Sequence, residues 1–221
     1  MAAMYGNERR PIHINDGPES FRVKPDRFMN RLRLLQDRGI ATDLVVEVEG
    51  EDIEVHKVVL LTYLTRFHVV NSSRMRLRGI RAATFRQFLH FCYGDAIRVA
   101  PDEVLTMLTA SYKLGCAPIR SHLTQRVVAF IEQTPNELLE LFLTLSVEGL
   151  RQKAHHQILT NIEMVQPQLN ALDCQTMITF IVFDLNSDTI DILIASAMSW
   201  FRHSPEDRLQ HFTCFMSIFS R

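Results

Sequence analysis

Histidine is the residue type in this sequence whose spacing most invites metal binding or acid–base chemistry. His155 and His156 are adjacent, so on a helix they would point about 100° apart, whereas two ligands on one face need i, i+4 spacing. His203, Asp207 and His211 have that spacing, but they lie among phenylalanines, which favours a solvated polar face opposite a core stripe. We therefore predict no metal site and no cofactor.

Cysteines and motifs give no further indication of catalysis. The four cysteines lie far apart without a CxxC pair, so reduced thiols in a cytoplasmic or nuclear protein are expected rather than zinc or disulfides. The sequence contains no GxxxxGK, GxGxxG, GxSxG or HExxH motif, so phosphate cradles, dinucleotide sites, nucleophile elbows and zinc proteases are not indicated. We expect the chain not to be an enzyme.

The composition is that of an ordinary soluble globular protein. The 221 residues are 47% hydrophobic and 22% charged, and 24 basic against 25 acidic side chains give a net charge of -1. Such a balance creates no global field favouring nucleic acid. No signal peptide and no apolar run of membrane-spanning length are seen. Partners are expected to bind through local surfaces, with no membrane and no nucleic acid involved.

The local charge distribution is less ordinary than the total. Six acidic residues lie between Asp43 and Glu54, and the stretch from Val55 to Gly94 then holds seven basic residues and no acidic one. Within RMRLRGI three arginines alternate with apolar residues: Arg74, Arg76 and Arg78. They could bind an acidic partner or a phosphate through the bidentate geometry of arginine. The alternation favours a solvated strand edge instead.

The elements that would position these residues begin after a flexible lead-in at 1–19. KPDRFMNRLRLLQDRG predicts a helix with a narrow apolar stripe, Phe28, Leu32 and Leu35, which needs a partner surface. DLVVEVEGEDIEVHK predicts a hairpin with its turn at residues 49–52 and an acidic outer face. VVLLTYLTRF predicts a buried helix, and RMRLRGI a further strand.

Helices are predicted for the rest of the chain, apart from a short extended piece at 97–99. A mixed α/β unit thus leads into an all-helical one, with the join near 125–133. Thr134, Pro135 and Glu137 resemble a capping box, and Ser204, Pro205 and Asp207 repeat it in weaker form. The last helix is expected to bury one face against the helix that ends in Trp200; that face carries Leu209, Phe212, Met216 and Phe219.

Four strings in order resemble a BTB (POZ) domain followed by a BACK domain, as in the kelch-like proteins. TDLVVEVEGEDIEVHKVVLL is similar to the BTB core motif, with Asp43, His56 and Lys57 at motif positions. TFRQFLHFCYGD resembles the family's helix that ends in an aromatic residue and a glycine. VLTMLTASYKLGCAPIRSHL resembles the segment that closes the BTB fold. AMSWFRHSPEDRLQHF resembles the late BACK signature, with Trp200 and Arg208.

The resemblance covers about residues 20 to 221 and implies an α+β BTB/POZ fold, a small sheet flanked by helices, followed by an all-α BACK domain. The implied organisation is a tail at 1–19, a dimerisation domain at 20–130 and a BACK domain at 131–221. The implied sites are a dimer interface at Phe28, Leu32 and Leu35, a charged BTB pocket at Asp43, His56 and Lys57, and a BACK core at Trp200 and Arg208.

This resemblance implies a homodimeric interaction adaptor, the substrate-adaptor subunit of a cullin-three RING ubiquitin ligase with an unknown protein substrate. The sequence departs from the pattern twice. It carries no kelch repeats, which usually read the substrate, and only HVVNSS at 68–73 separates Phe67 from RMRLRGI, without the hydrophobic-x-Glu motif of the usual cullin contact. The alternative is a dimerisation scaffold or transcriptional co-regulator that does not bind cullin.

Overall fold

The computed structural model describes residues 26–67 and 72–219, and the predicted flexible tail lies outside these ranges. In chain order the helices and strands are α1 Asp26–Gln36, β1 Leu44–Val48, β2 Glu51–Val55, α2 Lys57–Tyr63, β3 Arg74–Leu77, α3 Ala82–Cys92, α4 Val104–Leu114, α5 Ala117–Gln133, α6 Leu138–Thr144, α7 Glu148–Thr160, α8 Ile162–Asn170, α9 Cys174–Val182, α10 Ile190–His203, α11 Pro205–Arg208 and α12 Phe212–Phe219.

A small sheet is formed by β2, β1 and β3, in that order, within the described residues. β1 pairs antiparallel with β2 and parallel with β3. Leu44, Val46 and Val48 alternate into the core as predicted, and Ile53 and Val55 continue the buried face on β2. The hairpin is therefore confirmed, and the arginine-rich strand lies directly beside β1.

The hairpin turn consists of two residues, Glu49 and Gly50, because Val48 already pairs with Glu51. Both residues have positive φ, 52° and 85°. This conformation is that of a type I′ turn, whose twist matches the twist of the two strands and which favours glycine at the second position. β2 thus begins at Glu51, two residues earlier than the predicted turn allowed.

Helix α2 is only half buried, so the prediction of a buried helix is wrong in part. Val59 and Leu60 face the core, but Val58 is 69% exposed and Leu61 42% exposed. The helix therefore packs on the core through one side only, and its other side, with Val58 and Leu61, faces solvent. Val58 and Leu61 are therefore free to contact another part of the chain or a partner protein.

Helix α5 runs without interruption through the predicted join at 125–133 and packs against both α4 and α7. The buried residues from the sheet to α12 form one contiguous hydrophobic core. The region after residue 134 is helical, as predicted. The mixed and helical parts are therefore held together by shared packing rather than joined by a linker.

The predicted capping boxes do not form. The Thr134 hydroxyl donates back to the Phe130 carbonyl at 2.7 Å instead of capping the helix that follows, and Ser204 makes no side-chain cap. The side-chain cap lies at Asp173, whose carboxylate accepts from the Thr176 backbone N–H at 3.0 Å. These hydrogen bonds to the amide and hydroxyl of Thr176 lower the pKa of Asp173.

The last helix packs against α10 as predicted, but the apolar face predicted for it is wrong in part. Leu209 is 69% exposed and precedes α12 in a 3₁₀ turn, and Met216 is 46% exposed. The buried residue is Phe215, which stacks on Trp200. The 3₁₀ turn at Leu209–His211 interrupts the continuous helix that the sequence predicts. As a result, α12 turns a different side toward the core from the predicted one.

Candidate functional site

The three residues of the predicted BTB pocket fasten the hairpin to the helices around it. Asp43 precedes β1, and its carboxylate accepts from the backbone N–H of Lys57 at 2.6 Å. This N–H is one of the free donors at the start of α2, so Asp43 caps that helix from a distant part of the chain. The Asp43–Lys57 pair thus meets through the lysine backbone rather than through its ammonium group.

His56 is buried and bound on both ring nitrogens. The Tyr93 hydroxyl lies 2.8 Å from His56 Nδ1 and also accepts from the His56 backbone N–H at 3.0 Å. His56 Nε2 lies 3.2 Å from the Ile40 carbonyl. Burial also raises the pKa of Tyr93. The cluster joins the turn after α1 to the start of α2 and the end of α3.

Two of the three predicted arginines are engaged inside the sheet. Arg74 Nη2 lies 2.7 Å from Asp52 Oδ1, and Arg76 Nη2 lies 2.7 Å from Glu47 Oε1. The hydrogen bond from Arg76 is the main cause that holds the pKa of Glu47 below its usual value. The acidic hairpin face and the arginine strand therefore neutralise each other, although these exposed pairs contribute little to stability. Arg78 is exposed and has no ion pair among the described residues.

The three residues of the predicted dimer stripe share one face of α1 but differ in burial. Leu32 packs with Met29 against the core of its own chain, while Phe28 is 66% exposed and Leu35 is half-buried. Leu34, which lies about 120° around the helix from Phe28, is 57% exposed. The exposed large apolar side chains of α1 are therefore Phe28 and Leu34, on different sides of the helix.

A charged contact at the end of α1 escaped the sequence analysis. Arg33 forms an ion pair with Asp95, which also lies 3.0 Å from His90 Nδ1. Burial opposes ionisation of Asp95, but the hydrogen bonds from His90 and Arg33 lower its pKa. No short-range pattern could reveal this contact, since 62 residues separate Arg33 from Asp95.

The predicted BACK core residues are brought together across the break between α10 and α11. The Arg208 guanidinium lies 4.1 Å from the Trp200 ring centroid, and it donates to the carbonyls of Trp200 at 2.5 Å and Asn170 at 2.8 Å. Trp200 donates its indole N–H to the Leu172 carbonyl at 2.8 Å. These contacts close α8, α10 and α11 around one aromatic ring, and they make the pair a structural element of the helical half.

A groove of about 760 Å³ opens where the sheet-bearing half meets the first helices after residue 134. Tyr112 of α4 and Val128 of α5 line one side, and Val147 and Leu150 at the start of α7 line the other. Basic residues stand in its lining: Arg66, Lys113 and Lys153. The lining also holds one acidic residue, Glu148, so apolar side chains stand beside a net positive charge, which suits a protein segment.

No group of three or more His, Cys, Asp or Glu side chains among the described residues could hold a metal ion. His203, Asp207 and His211 thus form no such group. No helix in the described part of the chain is long and apolar enough to cross a membrane.

Comparison with known proteins places residues 32–134 in a described family, the BTB/POZ domain. Kelch-like protein 17 of Mus musculus is 25% identical over 198 residues, which cover 84% of this chain and 31% of that protein. Kelch-like protein 15 of Gallus gallus is 24% identical over 186 residues, or 77% and 38% of the two chains. The chain thus spans about a third of the length of these relatives.

Among solved structures, the BTB domain of zebrafish PATZ1 matches 46% of this chain and 89% of its own, with 22% identity and a TM-score of 0.44. The small three-stranded sheet with its surrounding helices occupies the residues matched by the family. Residues 32–134 are therefore a BTB/POZ domain, and the relatives of this chain are Kelch-like proteins.

Proposed function

We propose that this chain is a non-enzymatic protein-interaction adaptor that forms a homodimer and joins a cullin-three ubiquitin ligase. The BTB/POZ domain and the Kelch-like relatives support the adaptor role. The helical half after residue 134 is the proposed BACK domain. The protein substrate is unknown, and the cytoplasm or the nucleus is the expected location.

The observation that carries the proposal is an exposed apolar surface on the BTB/POZ domain. Phe28 and Leu34 of α1, Ile40 in the following turn and Val58 of α2 are all between 47% and 69% exposed. The Ile40 carbonyl bonds to His56, which directly precedes α2, so the turn after α1 and the start of α2 are neighbours. Exposed apolar side chains on neighbouring elements mark candidate interaction sites.

A second copy of the chain is the proposed occupant of this surface. The resemblance assigns the first helix to the contact between two protomers, and an interface formed by the same patch on both copies is self-complementary. Apolar side chains that face one another across a two-fold axis bury area on both sides at once. Phe28 and Leu34 are the residues of α1 that we propose to contribute to that contact.

The groove between α4, α5 and α7 is the proposed contact for the cullin scaffold. The resemblance assigns this contact to the BTB/POZ domain together with the first BACK helices, and the groove is lined by both. Val147 is half-buried at its mouth and directly precedes α7. A segment that bound there would cover Tyr112, Val128 and Val147 together.

Calorimetric titration with the purified cullin-three N-terminal domain tests the ligase assignment. We expect saturable submicromolar binding by the wild type and at least about tenfold weaker binding by Val147→Glu, which places a carboxylate in the apolar contact. Leu209→Glu is the matched control, because Leu209 is exposed and does not line the groove. Equal binding by wild type and Val147→Glu would contradict the proposed contact.

The alternative is a dimeric scaffold or transcriptional co-regulator that never meets a cullin. The short sequence HVVNSS, which lacks a glutamate, favours it. Residues 68–71 of this segment lie outside the described residues. The same titration separates the two functions, since absence of binding at tens of micromolar would leave the scaffold as the function.

A further inference from the structure

The turn that joins β3 to α3 presents two arginines to a second groove. Arg78 and Arg81 flank Gly79 and Ile80, and all four residues line a groove of about 710 Å³ that reaches α4. Both arginines are exposed. The groove is separate from the apolar surface of α1 and from the residues of the Trp200–Arg208 cluster.

The backbone of this turn is held in place from three directions. Ile80 is buried in the core, at 6% exposure, and the Lys113 ammonium donates to the Gly79 carbonyl at 3.0 Å. The Glu49 carboxylate accepts from the Ala82 N–H at 2.9 Å, which fixes the start of α3. Gly79 has a φ of 69°, a conformation that favours glycine. The backbone that carries Arg78 and Arg81 is therefore held in one conformation.

The charges in the groove do not cancel. Arg76 is paired with Glu47, and Glu49 is engaged by the backbone of α3. Arg78 and Arg81 have no side-chain hydrogen bond or ion pair with any residue that the structure describes. Two guanidinium groups, each able to hold a carboxylate through two parallel N–H donors, therefore remain available.

The rest of the lining suits a peptide. Leu77, Ile80 and Leu105 provide apolar surface beside the arginines. Thr84 is 7% exposed and, like Thr106, lines the groove without a hydrogen-bond partner among the described residues. A hydroxyl that lines a groove beside apolar and cationic groups can accept a backbone N–H or donate to a carbonyl.

We propose that this groove binds an extended segment of a partner protein in which acidic side chains alternate with apolar ones. The carboxylates would pair with Arg78 and Arg81, and the apolar side chains would cover Leu77 and Leu105. A nucleic acid fits less well, because the lining holds no aromatic ring on which a base could stack. This inference goes beyond the adaptor role and does not depend on dimerisation.

Fluorescence polarisation with the full chain tests the proposal. The probe is a short labelled peptide in which glutamate and leucine alternate, and a glutamine–leucine peptide of equal length serves as the neutral probe. The double variant Arg78→Gln/Arg81→Gln removes both free guanidinium groups. The matched control, Arg38→Gln/Arg202→Gln, removes the same charge at two exposed arginines outside the groove.

We expect saturable binding of the acidic peptide to the wild type, weakened by salt, and at least about a tenfold loss in the double variant. The control variant should stay within about twofold of the wild type, and the neutral peptide should not bind. Equal loss in both variants, or no binding by the wild type, would overturn the proposal. So would displacement of the peptide by a single-stranded oligonucleotide at equal concentration, because it would assign the groove to nucleic acid.

Discussion

At the scale of single residues, His155 is the most unusual side chain in the helical half. It is fully buried on α7, within 4.7 to 5.5 Å of the ring centroids of Phe142, Phe180 and Phe183. Its Nε2 lies 3.1 Å from the Phe180 carbonyl, while Nδ1 has no partner. Since only Nε2 faces an acceptor, the ring is neutral with its proton on Nε2.

The burial of His155 predicts a pH-dependent stability. Burial lowers the pKa of His155 from its ordinary value of 6.5, so the unfolded chain binds this proton more readily than the folded protein. The stabilisation is complete above pH 6.5 and is lost as the pH falls below it. Urea unfolding between about pH 8 and pH 5 should show a shallower decrease in the free energy of unfolding for His155→Leu than for the wild type.

His156→Leu is the control for this measurement, because His156 is the adjacent exposed histidine. Its unfolding free energy should depend on pH as the wild type's does. If His155→Leu kept the full wild-type slope, the buried ring would not be the source of the effect.

At the scale of elements, α10 is the centre of the last four helices. Its Trp200 stacks on Phe215 of α12, with 5.3 Å between the ring centroids. The indole N–H donates to the Leu172 carbonyl after α8, and the guanidinium of Arg208 in α11 lies over the ring. One side chain therefore fixes the positions of three neighbouring segments. Its loss would release all of them.

Trp200→Ala should lower the free energy of unfolding by about 3–5 kcal/mol, because it removes a fully buried aromatic ring and leaves a cavity. Trp200→Phe keeps a ring but leaves the Leu172 carbonyl without its donor, and should cost about 1–3 kcal/mol. Urea unfolding followed by circular dichroism measures both. An alanine variant as stable as the phenylalanine variant would show that the ring is not a packing centre.

The sequence predicts those elements whose signals are local. The hairpin follows from the alternation of apolar residues at Leu44, Val46 and Val48. The resemblance of the C-terminal region to a BACK domain rests on Trp200 and Arg208, which are eight residues apart. The face of α12 could not be predicted, because the 3₁₀ turn at Leu209–His211 shifts its rotation. Local pattern sets the period of an element, but tertiary packing selects its buried face.

The same distinction applies to the candidate sites. The sequence shows acidic residues on the hairpin and arginines on RMRLRGI, but not that β3 lies beside β1 and brings Arg76 to Glu47. Nor does it show that Leu32 packs inward while Phe28, on the same predicted stripe, remains exposed. Ion pairs and exposed faces depend on which elements become neighbours.

At the scale of the whole molecule, the proposed dimer gives the clearest prediction. Light scattering of the wild type should report about twice the 25.5 kDa mass of one chain. Leu34→Asp should give a folded monomer, because a carboxylate would have to lose its water at the apolar contact. Leu34 is largely exposed in one chain, so this change should leave folding intact, unlike a change at the inward-packed Leu32.

Leu209→Asp is the matched control for dimerisation, since Leu209 is more exposed than Leu34 and lies beyond α10. It should scatter as the wild type does. A wild-type monomer at micromolar concentration, or a Leu34→Asp variant that remains dimeric, would contradict the proposed interface.

The unbroken α5 has a mechanical consequence. With 17 residues at 1.5 Å each, it is a rod about 25 Å long, clamped by α4 in the BTB/POZ domain and by α7 beyond it. The helical half therefore cannot swing freely relative to the domain that carries α1. In a dimer, two such rods would set a fixed span between equivalent points on the two copies. Such a dimer would bind pairs of targets whose spacing matches that span and would not bind pairs with a different spacing.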